Sequence, residues 1–343
     1  MNDNRIEWLD IAKGIGIILV VMGHAPVTNI QKSYIYSFHM PLFFFLSGYV
    51  FIPGKFKSFK QFVKSRLNSL VIPYFTLSFI QYLMFVLYEK QINEYTFGYI
   101  EPIMGIFYSS NTTMKIGIPL WFLTCLFVVQ ILFYFIRKID KDIIILIALF
   151  VLSLLGYAYS RHNYIRLPWS MDTALTATVF YGLGYLINKN KQFFSRISKY
   201  SYIDLALVTT LIWYIFNYLN TKNNRIDMFG NSYNNYFYFY ISALSGILMC
   251  IFIAKCINKS KILSFLGKHT LAILAFHINI FILINYLFKV LINKFHINIH
   301  VYDSFKWAAF YSIATIIILI PIFTLTNYFL SFVKNKKSSI SKS

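Results

Sequence analysis

The feature that most constrains the fold is a series of apolar stretches, each long enough to cross a lipid bilayer as one helix. Such a helix needs about 17–25 predominantly apolar residues. Only 13% of the residues are charged, about half the share usual in soluble domains. We therefore predict an all-α integral membrane protein with ten transmembrane helices. Their approximate bounds are 11–27, 34–51, 70–87, 120–136, 143–159, 173–187, 203–219, 236–254, 271–292 and 305–333.

The basic residues predict how these helices are oriented. The chain has 32 Lys and Arg against 12 Asp and Glu, a net charge of +20. With a cytoplasmic N-terminus, 20 basic residues fall in the cytoplasmic loops and tail and 8 in the opposite loops. Basic residues accumulate on the cytoplasmic side of membrane proteins, so both termini are predicted to be cytoplasmic. The apolar content, 58% of residues, excludes a disordered basic protein that binds nucleic acid.

No linker or composition shift marks a second folded domain. The sequence predicts one membrane domain, residues 1–333, followed by a basic cytoplasmic tail, residues 334–343. The first ten residues are acidic rather than basic in balance. We therefore interpret the first apolar stretch as a retained anchor and not as a cleaved signal peptide.

Ionisable residues inside transmembrane helices are costly and therefore indicate function. The first predicted helix contains Asp10, Lys13 and His24, which lie along one stripe at 100° per residue. His24 lies roughly 16 Å beyond Lys13 along the helix axis. Asp10 and Lys13 have an alternative reading as an i,i+3 ion pair at the cytoplasmic interface. For His24, which lies deep in the helix, we favour function over a merely satisfied core histidine.

Two further histidines are predicted at membrane depth. The second helix returns antiparallel to the first, so His39 and His24 should lie at the same level on adjacent helices. Because imidazole titrates near neutral pH, the two make a plausible base and partner. Alternatively, His39 only hydrogen-bonds a backbone group freed by Pro41. His277, in the ninth predicted helix, suits a site role and a hydrogen bond to a neighbouring helix equally well.

The remaining histidines and the cysteines do not predict a metal site. His296 and His300 have i,i+4 spacing near Asp303, but their segment is short and loop-like and lacks a general-base motif. His269, beside Lys268, is expected to be a solvated interface residue, with contact to a phosphate as the alternative. The cysteines lie in apolar runs without ligand spacing, and we expect core packing for all three: Cys125, Cys250 and Cys256.

Several blocks of sequence are distinctive in combination. The strongest are WLDIAKG (residues 8–14) leading to VMGH (21–24), and SFHMPLFFFLSGY (37–49). Weaker blocks follow at Arg66 before IPY (72–74), PLWFL (119–123), YGLGY (181–185), and LGK (266–268) leading to His277. Together these blocks resemble the acyltransferase-3 membrane family, in particular its fucose 4-O-acetylase-like branch.

This resemblance implies an O-acyltransferase of a bacterial cytoplasmic membrane. Such an enzyme moves an acetyl group from cytoplasmic acetyl-CoA to a hydroxyl of a cell-surface polysaccharide or its lipid-linked sugar precursor. For this chemistry we expect His24 as catalytic base or acyl carrier, with His39 and Asp10 as further catalytic residues. Alternatively, Asp10 orients Lys13 and does not act on the substrate. Many members have an arginine where this chain has Lys13, which keeps the charge but loses the bidentate fork. Acetyl-CoA is a donor substrate, so no permanently bound cofactor or metal is expected.

Coenzyme A carries several phosphates, and basic residues after the second predicted helix are suited to binding them. The residues expected to bind the acyl-CoA are Lys13, Lys60, Lys64, Arg66 and His277. The residues expected on the acceptor side are Trp121, Arg161, Arg166 and Asp172. The alternative function is a polysaccharide exporter or another multi-span transporter without acyl transfer. Transporters usually show broken helices in both halves of the chain, and no such paired pattern is visible in this sequence.

Overall fold

The computed structural model describes residues 6–93, 95–139, 141–162, 165–190, 192, 200–221, 224–296 and 299–321. Within these ranges the chain is helical and has no β-strand, only one isolated antiparallel bridge between Asp227 and Ser232. The all-α prediction is therefore confirmed. The helices are α1 (Glu7–His24), α2 (Asn29–Tyr36), α3 (His39–Tyr49), α4 (Phe59–Ile92), α5 (Ile100–Tyr108), α6 (Trp121–Arg137), α7 (Asp142–Arg161), α8 (Met171–Lys189), α9 (Tyr202–Asn220), α10 (Tyr236–Ile257), α11 (Lys261–Lys268), α12 (Thr270–Phe295) and α13 (Phe305–Pro321).

Six of the described helices are long and apolar enough to cross a membrane, namely α4, α6, α7, α9, α10 and α12. The chain is accordingly a multi-pass membrane protein. The predicted spans at 11–27, 173–187 and 305–333 coincide with α1, α8 and α13, which are shorter or more polar. The count of ten spans and the cytoplasmic termini stay predictions. The end of the last predicted span and the basic tail lie outside the described residues.

The second predicted span, 34–51, is wrong as one continuous helix. The structure ends α2 at Tyr36 and begins α3 at His39. Pro41 has no N–H to donate to the Ser37 carbonyl, so a helix running through this point would lose a hydrogen bond. In the first turn of α3 the same proline is tolerated. With 11 residues, α3 is only about 17 Å long, well short of the bilayer's apolar core.

The basic segment after α3 was predicted as a loop, but most of it is the start of α4. Ser58 caps this helix by accepting a hydrogen bond from the Gln61 backbone N–H at 3.2 Å. Phe62, two turns before the membrane-length apolar part, is fully buried and anchors the segment. Lys60 and Lys64 therefore project from a helix, and both are exposed. Loop geometry is confined to the residues before Phe59.

The central helices approach one another at glycines. A Cβ atom added to Gly48 of α3 would lie 1.8 Å from the Tyr181 carbonyl oxygen of α8. A Cβ atom added to Gly14 of α1 would lie 2.2 Å from the Leu263 carbonyl oxygen of α11. Both distances are far below contact, so neighbouring backbone already fills the space that these glycines leave. The close contacts fix α8 on α3 and α11 on the first turns of α1.

The core of the molecule lies among α1, α3, α8 and α10, whereas α7 and α9 lie at its periphery. Only 11% of the apolar stretch of α9 and 22% of that of α7 is buried within the molecule. The outward side chains of α9 are apolar and largely exposed, for example Leu207, Val208 and Leu211. In a bilayer these faces contact lipid, and polar and ionisable side chains are expected at the centre of the bundle.

Candidate active site

Three histidines from three helices meet around one cavity at the end of α1. His24 is the last residue of α1, and His39 is the first residue of α3. Both line a cavity of about 340 Å³, together with Val20, Tyr36 and Leu274 among others. The imidazole rings of His24 and His277 lie edge to face, with their centres 5.0 Å apart. The structure thus brings together all three histidines that the sequence placed at membrane depth.

Tyr36 lies between the two histidines that line the cavity. Its ring centre is 6.1 Å from that of His24 and 4.9 Å from that of His39. His39 and His277 are buried, with 2% and 0% of their surface exposed. The break between α2 and α3 explains this arrangement, because it lets Tyr36 and His39 both turn toward the end of α1.

The same backbone hydrogen bond orients all three imidazoles. The Nδ1–H groups of His24, His39 and His277 donate to the carbonyls four residues earlier, at 2.8, 2.8 and 2.9 Å. A carbonyl only accepts, so this geometry assigns the proton of each neutral ring to Nδ1 and the lone pair to Nε2. For His39 the partner is the Ile35 carbonyl, not a group freed by Pro41. Each Nε2 is therefore a potential base or nucleophile.

His277 carries an unused acceptor. Its Nε2 is buried and has no hydrogen-bond partner within the protein. Burying a polar atom without a partner costs about 1–3 kcal/mol, and such atoms call for an explanation. A hydroxyl donor entering beside His24 would supply the missing partner. His277 thus lies beside His24, and its role in binding the acyl-CoA stays a prediction.

The outer wall of the cavity is a tightly folded segment, residues 224–235, which we call the plug loop. Arg225, Asp227, Met228 and Phe229 of this loop line the cavity. The Arg225 guanidinium lies 4.6 Å above the centre of the Tyr36 ring and donates to the Asp227 carboxylate at 3.2 Å. The loop is compact because the Asp227–Ser232 bridge closes it with two backbone hydrogen bonds of 2.8 and 2.9 Å.

Buried side chains hold the plug loop in the bundle. Ile226, Met228 and Tyr233 of the loop are each at most 2% exposed. Burial raises the pKa of the Tyr233 phenol above its ordinary value, so this ring stays neutral. The Thr173 hydroxyl of α8 donates to the Met228 carbonyl at 3.0 Å. The loop is therefore a fixed part of the cavity wall.

Arg166 and Asp172, predicted to contact the acceptor, lie behind this wall. The Arg166 guanidinium pairs with the buried Asp172 carboxylate. It also donates to the Asn111 side-chain oxygen at 2.6 Å and to the Phe229 carbonyl at 2.7 Å. Asn111 lines the cavity, and with its oxygen turned to Arg166 its amide NH₂ remains available as a donor. Arg166 and Asp172 thus position cavity residues.

The other two predicted acceptor residues differ in placement. Trp121 lines the cavity, is 5% exposed and stacks on Phe229 at 5.4 Å between ring centres. Arg161 is exposed at the C-terminal end of α7 and does not line the cavity. Of the four predicted acceptor residues, only Trp121 reaches the cavity itself.

An apolar cavity of about 190 Å³ adjoins the histidine cavity, and Met40 and Leu274 line both. Its remaining walls come from α1, α3, α4, α6 and α12, through Ile17, Phe43, Ser69, Leu70, Phe122, Leu123, Leu126, Thr270 and Leu271. Several of these residues follow closely on basic residues of the same chain segments. Ser69 comes just after Arg66, Thr270 just after Lys268, and Ile17 one turn after Lys13. The apolar cavity therefore lies between the histidines and these basic residues, Lys13, Arg66 and Lys268, whose end of the bundle we call the basic end.

The predicted donor-side residues lie at that basic end. Asp10 is buried in α1, and its carbonyl contacts the backbone at Gly267 of α11. Lys13 is half-buried one turn further along α1. At 1.5 Å per residue, Asp10 and Lys13 lie roughly 21 and 16 Å from His24 along the helix. Asp10 thus lies with the donor-side residues and far from the three imidazoles.

Arg66 is a partly buried basic residue of this end. Its guanidinium lies 5.2 and 5.6 Å from the ring centres of Phe56 and Phe62. One nitrogen donates to the Ser65 hydroxyl at 3.0 Å, and the buried Nε has no partner. Arginine held between aromatic faces is pre-organised for a planar or anionic group.

His269 and the three cysteines do not line the histidine cavity. His269 donates from Nδ1 to the Phe265 carbonyl at 2.8 Å and stacks on that ring. Within the part of the chain that the structure describes, no group of three His, Cys, Asp or Glu residues is arranged to hold a metal ion. Cys125 and Cys250 are buried as predicted, but Cys256 is exposed at the end of α10, so its predicted core packing is wrong.

Four polar residues of the cavity were not predicted from the sequence, namely Tyr36, Asn111, Arg225 and Asp227. Arg225 and Asp227 belong to a turn-rich loop between two apolar helices, and their opposite charges two residues apart were the available signal. Asn111 begins the triplet Asn111-Thr112-Thr113, which matches a glycosylation pattern too short to indicate a site. Tyr36 gave no signal, because it was assigned to the interior of a continuous helix.

Comparison with known proteins gives one match. A family model described as an acyltransferase domain, that of the acyltransferase-3 family, matches residues 6–326. This match covers nearly the whole chain, including every residue of the two cavities. No curated protein and no solved structure matches the chain.

Proposed function

The chain belongs to the acyltransferase-3 family, and we propose that it transfers an acetyl group from acetyl-CoA to a sugar hydroxyl. The acceptor is a cell-surface polysaccharide or its lipid-linked precursor at a bacterial cytoplasmic membrane, as in the fucose 4-O-acetylase-like branch. One observation carries the proposal. An apolar cavity lies between the cavity with the paired imidazoles and the basic end, an order of surfaces that suits the thioester, the pantetheine arm and the phosphates of an acyl-CoA.

The donor enters from the basic end in this proposal. Lys13, Lys60, Lys64 and Arg66 bind the phosphates of coenzyme A, which favour charge-assisted hydrogen bonds. The pantetheine arm then occupies the apolar cavity between α1, α4, α6 and α12. Its thioester reaches the histidine cavity at the residues shared by both spaces, Met40 and Leu274. The basic end faces the cytoplasm, in agreement with the predicted orientation.

His24 acts as general base in the proposed reaction. Its Nε2 takes the proton of the acceptor hydroxyl while that oxygen attacks the carbonyl carbon of the thioester. A C–O bond forms, the C–S bond breaks, and the leaving thiolate of coenzyme A receives the proton from His24. The products are an acetyl ester and coenzyme A, and His24 is neutral again.

His277 and Asn111 support this step. The unused Nε2 of His277 accepts a hydrogen bond from a second hydroxyl of the acceptor sugar, and this bond positions the reacting hydroxyl at His24. The amide NH₂ of Asn111 and the Arg225 guanidinium supply donors to the oxygen that becomes negatively charged. His39 forms another part of the wall of the histidine cavity and contacts the acceptor. Lys13 and Asp10 act only on the donor side.

The proposal is tested with the purified chain in lipid nanodiscs, acetyl-CoA labelled in the acetyl group, and methyl α-L-fucoside as acceptor. We expect release of the coenzyme A thiol in equal amount to the label recovered as sugar ester. Thiol release without labelled sugar indicates hydrolysis and contradicts sugar acylation. A labelled acetyl group trapped on His24 in the absence of sugar contradicts the base role and supports the acyl-carrier route. Glycan flux through proteoliposomes without any acyl donor supports the exporter alternative.

A further inference from the structure

A third and larger cavity, of about 830 Å³, opens between α2 and α9. Its size falls within the range of about 300–1,000 Å³ that small-molecule sites occupy. We call it the tyrosine groove, because Tyr34 of α2 and Tyr214 and Tyr218 of α9 line it. Arg225 of the plug loop lines both this groove and the histidine cavity. The groove is therefore a lateral continuation of the proposed acceptor side.

The groove presents aromatic faces in a fixed arrangement. The rings of Tyr34 and Tyr214 stack at 5.3 Å between centres with an interplanar angle of 17°. Trp213 meets Tyr34 edge to face at 5.2 Å, and its indole N–H donates to the Ser37 hydroxyl at 2.9 Å. Tyr214 and Tyr218 remain 55% and 58% exposed, so a ligand can lie against them.

Polar groups accompany these rings. Asn29, Ser33, Thr221 and Asn224 also line the groove. The position of Asn224 is fixed, because its carbonyl accepts a hydrogen bond of 2.6 Å from the Asn234 amide. Among the described residues that line the groove, Arg225 is the one that carries a charge, and it is paired with Asp227. Aromatic faces combined with uncharged amides and hydroxyls suit a neutral sugar, which has an apolar C–H face and a rim of hydroxyls.

We infer that the tyrosine groove binds the sugar units next to the one that is acetylated, so that the acceptor is an oligosaccharide running from the histidine cavity past Arg225 into the groove. This inference rests on the proposed function for its direction, since the reacting hydroxyl lies at His24. An alternative occupant is the bilayer, because exposed tyrosines also gather at the membrane interface. The amide and hydroxyl groups of the groove favour the sugar.

The test measures binding separately from transfer. Equilibrium dialysis of the full-length chain in detergent, without acetyl-CoA, compares labelled methyl α-L-fucoside with the trisaccharide 2′-fucosyllactose. We expect the trisaccharide to bind about tenfold more tightly than the fucoside. Tyr214→Ala and Tyr218→Ala should each lower the trisaccharide affinity by about tenfold, whereas Tyr218→Phe, which keeps the ring, should retain it. Tyr286→Ala, which removes a tyrosine that is 42% exposed on α12, is the matched control.

Trisaccharide affinity that is unchanged in both alanine variants overturns the inference. The inference is also overturned if these variants lower the unfolding temperature in nanodiscs without lowering the trisaccharide affinity, because the groove then contacts lipid. The labelled-acetyl assay separates this result from the proposed function. Binding that depends on the tyrosines without acetyl transfer supports the groove and contradicts the enzyme. Acetyl transfer to both sugars at a rate that the tyrosine substitutions do not change supports the enzyme and contradicts sugar binding in the groove.

Discussion

His24, His39 and His277 share one local device, an Nδ1–H bonded to the carbonyl one turn earlier. This hydrogen bond fixes the tautomer and leaves the Nε2 lone pair available as a base. For His24 and His277 the carbonyl belongs to the same helix, and for His39 it is the Ile35 carbonyl of α2. No carboxylate is needed to orient these rings, and Asp10 lies far from all three.

The first prediction separates a catalytic from a donor-binding role for His277. His277→Ala should lower kcat by about 10²-fold, because the reacting hydroxyl loses the hydrogen bond that positions it and a misplacement of about 1 Å costs about that much. The KM for acetyl-CoA should change little, since the residue lies beside His24 and not at the basic end. Steady-state kinetics with labelled acetyl-CoA measure both constants. A raised KM with wild-type kcat would restore the donor-binding role.

The pairing of helices at this site could be predicted only in part. The spacing of His24 and His39 around a short connection made their proximity predictable. The contact between His24 and His277 was not, because it depends on how α1 packs against α12, residues that are far apart in the sequence. The part of the cavity wall formed by the plug loop was not predicted either. Its position depends on hydrogen bonds from Arg166 and Thr173, which are distant in sequence.

At the scale of elements, α12 is tied to α4 by buried amides. The Asn279 amide donates to the Gln81 side-chain oxygen at 2.9 Å and to the Glu89 carboxyl at 2.6 Å. The Gln81 amide donates to the Ala275 carbonyl at 2.5 Å. Ala275 and Asn279 flank His277 in sequence, so this network sets the position of that imidazole. The network of Gln81, Asn279 and Glu89 lies beside the three histidines and is not part of their cluster.

The second prediction follows from this network. Asn279→Leu should lower the free energy of unfolding by about 2–4 kcal/mol, because it removes three buried hydrogen bonds to Gln81 and Glu89 and leaves the Gln81 side-chain oxygen without a partner. The unfolding midpoint in detergent measures the change. Leu283→Ala, one turn further along α12 at an exposed position, is the control and should have a small effect. Equal midpoints for Asn279→Leu and the wild type would refute the tie between α4 and α12.

The third prediction concerns the passage between the basic end and the histidines. Leu271→Trp should fill the apolar cavity and raise the KM for acetyl-CoA about tenfold or more. Leu287→Trp places the same side chain on an exposed part of the same helix and should leave this KM close to the wild-type value. Isothermal titration with coenzyme A and acetyl-CoA adds a binding measurement. Wild-type kinetics in Leu271→Trp would mean that the donor takes another route.

At the scale of the whole molecule, apolar length was a sound guide to the long helices. The six membrane-length helices all lie where the sequence predicted spans, because each needs a continuous apolar surface. The prediction failed where polar and apolar segments share one helix, as in α4, or where a proline interrupts an apolar run, as between α2 and α3. Hydropathy averages over such local backbone constraints and does not register them.

The fourth prediction tests the orientation with a native cysteine. Cys256 is exposed at the end of α10, next to Lys255 on the predicted cytoplasmic side, while Cys125 and Cys250 are buried. A membrane-impermeant maleimide should label Cys256 in inverted vesicles but not in intact cells. Tyr302→Cys, in the exposed segment before α13, should show the opposite pattern. Labelling of Cys256 in intact cells would reverse the proposed topology and place the basic end outside.

The dependence of acetyl transfer on His24 tests the central claim most directly. The measurement is the rate at which label passes from acetyl-CoA to the sugar in nanodiscs, for the wild type, His24→Ala and the exposed control His300→Ala. We predict that His24→Ala lowers the rate by about 10²-fold or more while its unfolding midpoint stays near that of the wild type, and that His300→Ala transfers normally. Transfer by folded His24→Ala at the wild-type rate would contradict the proposed mechanism.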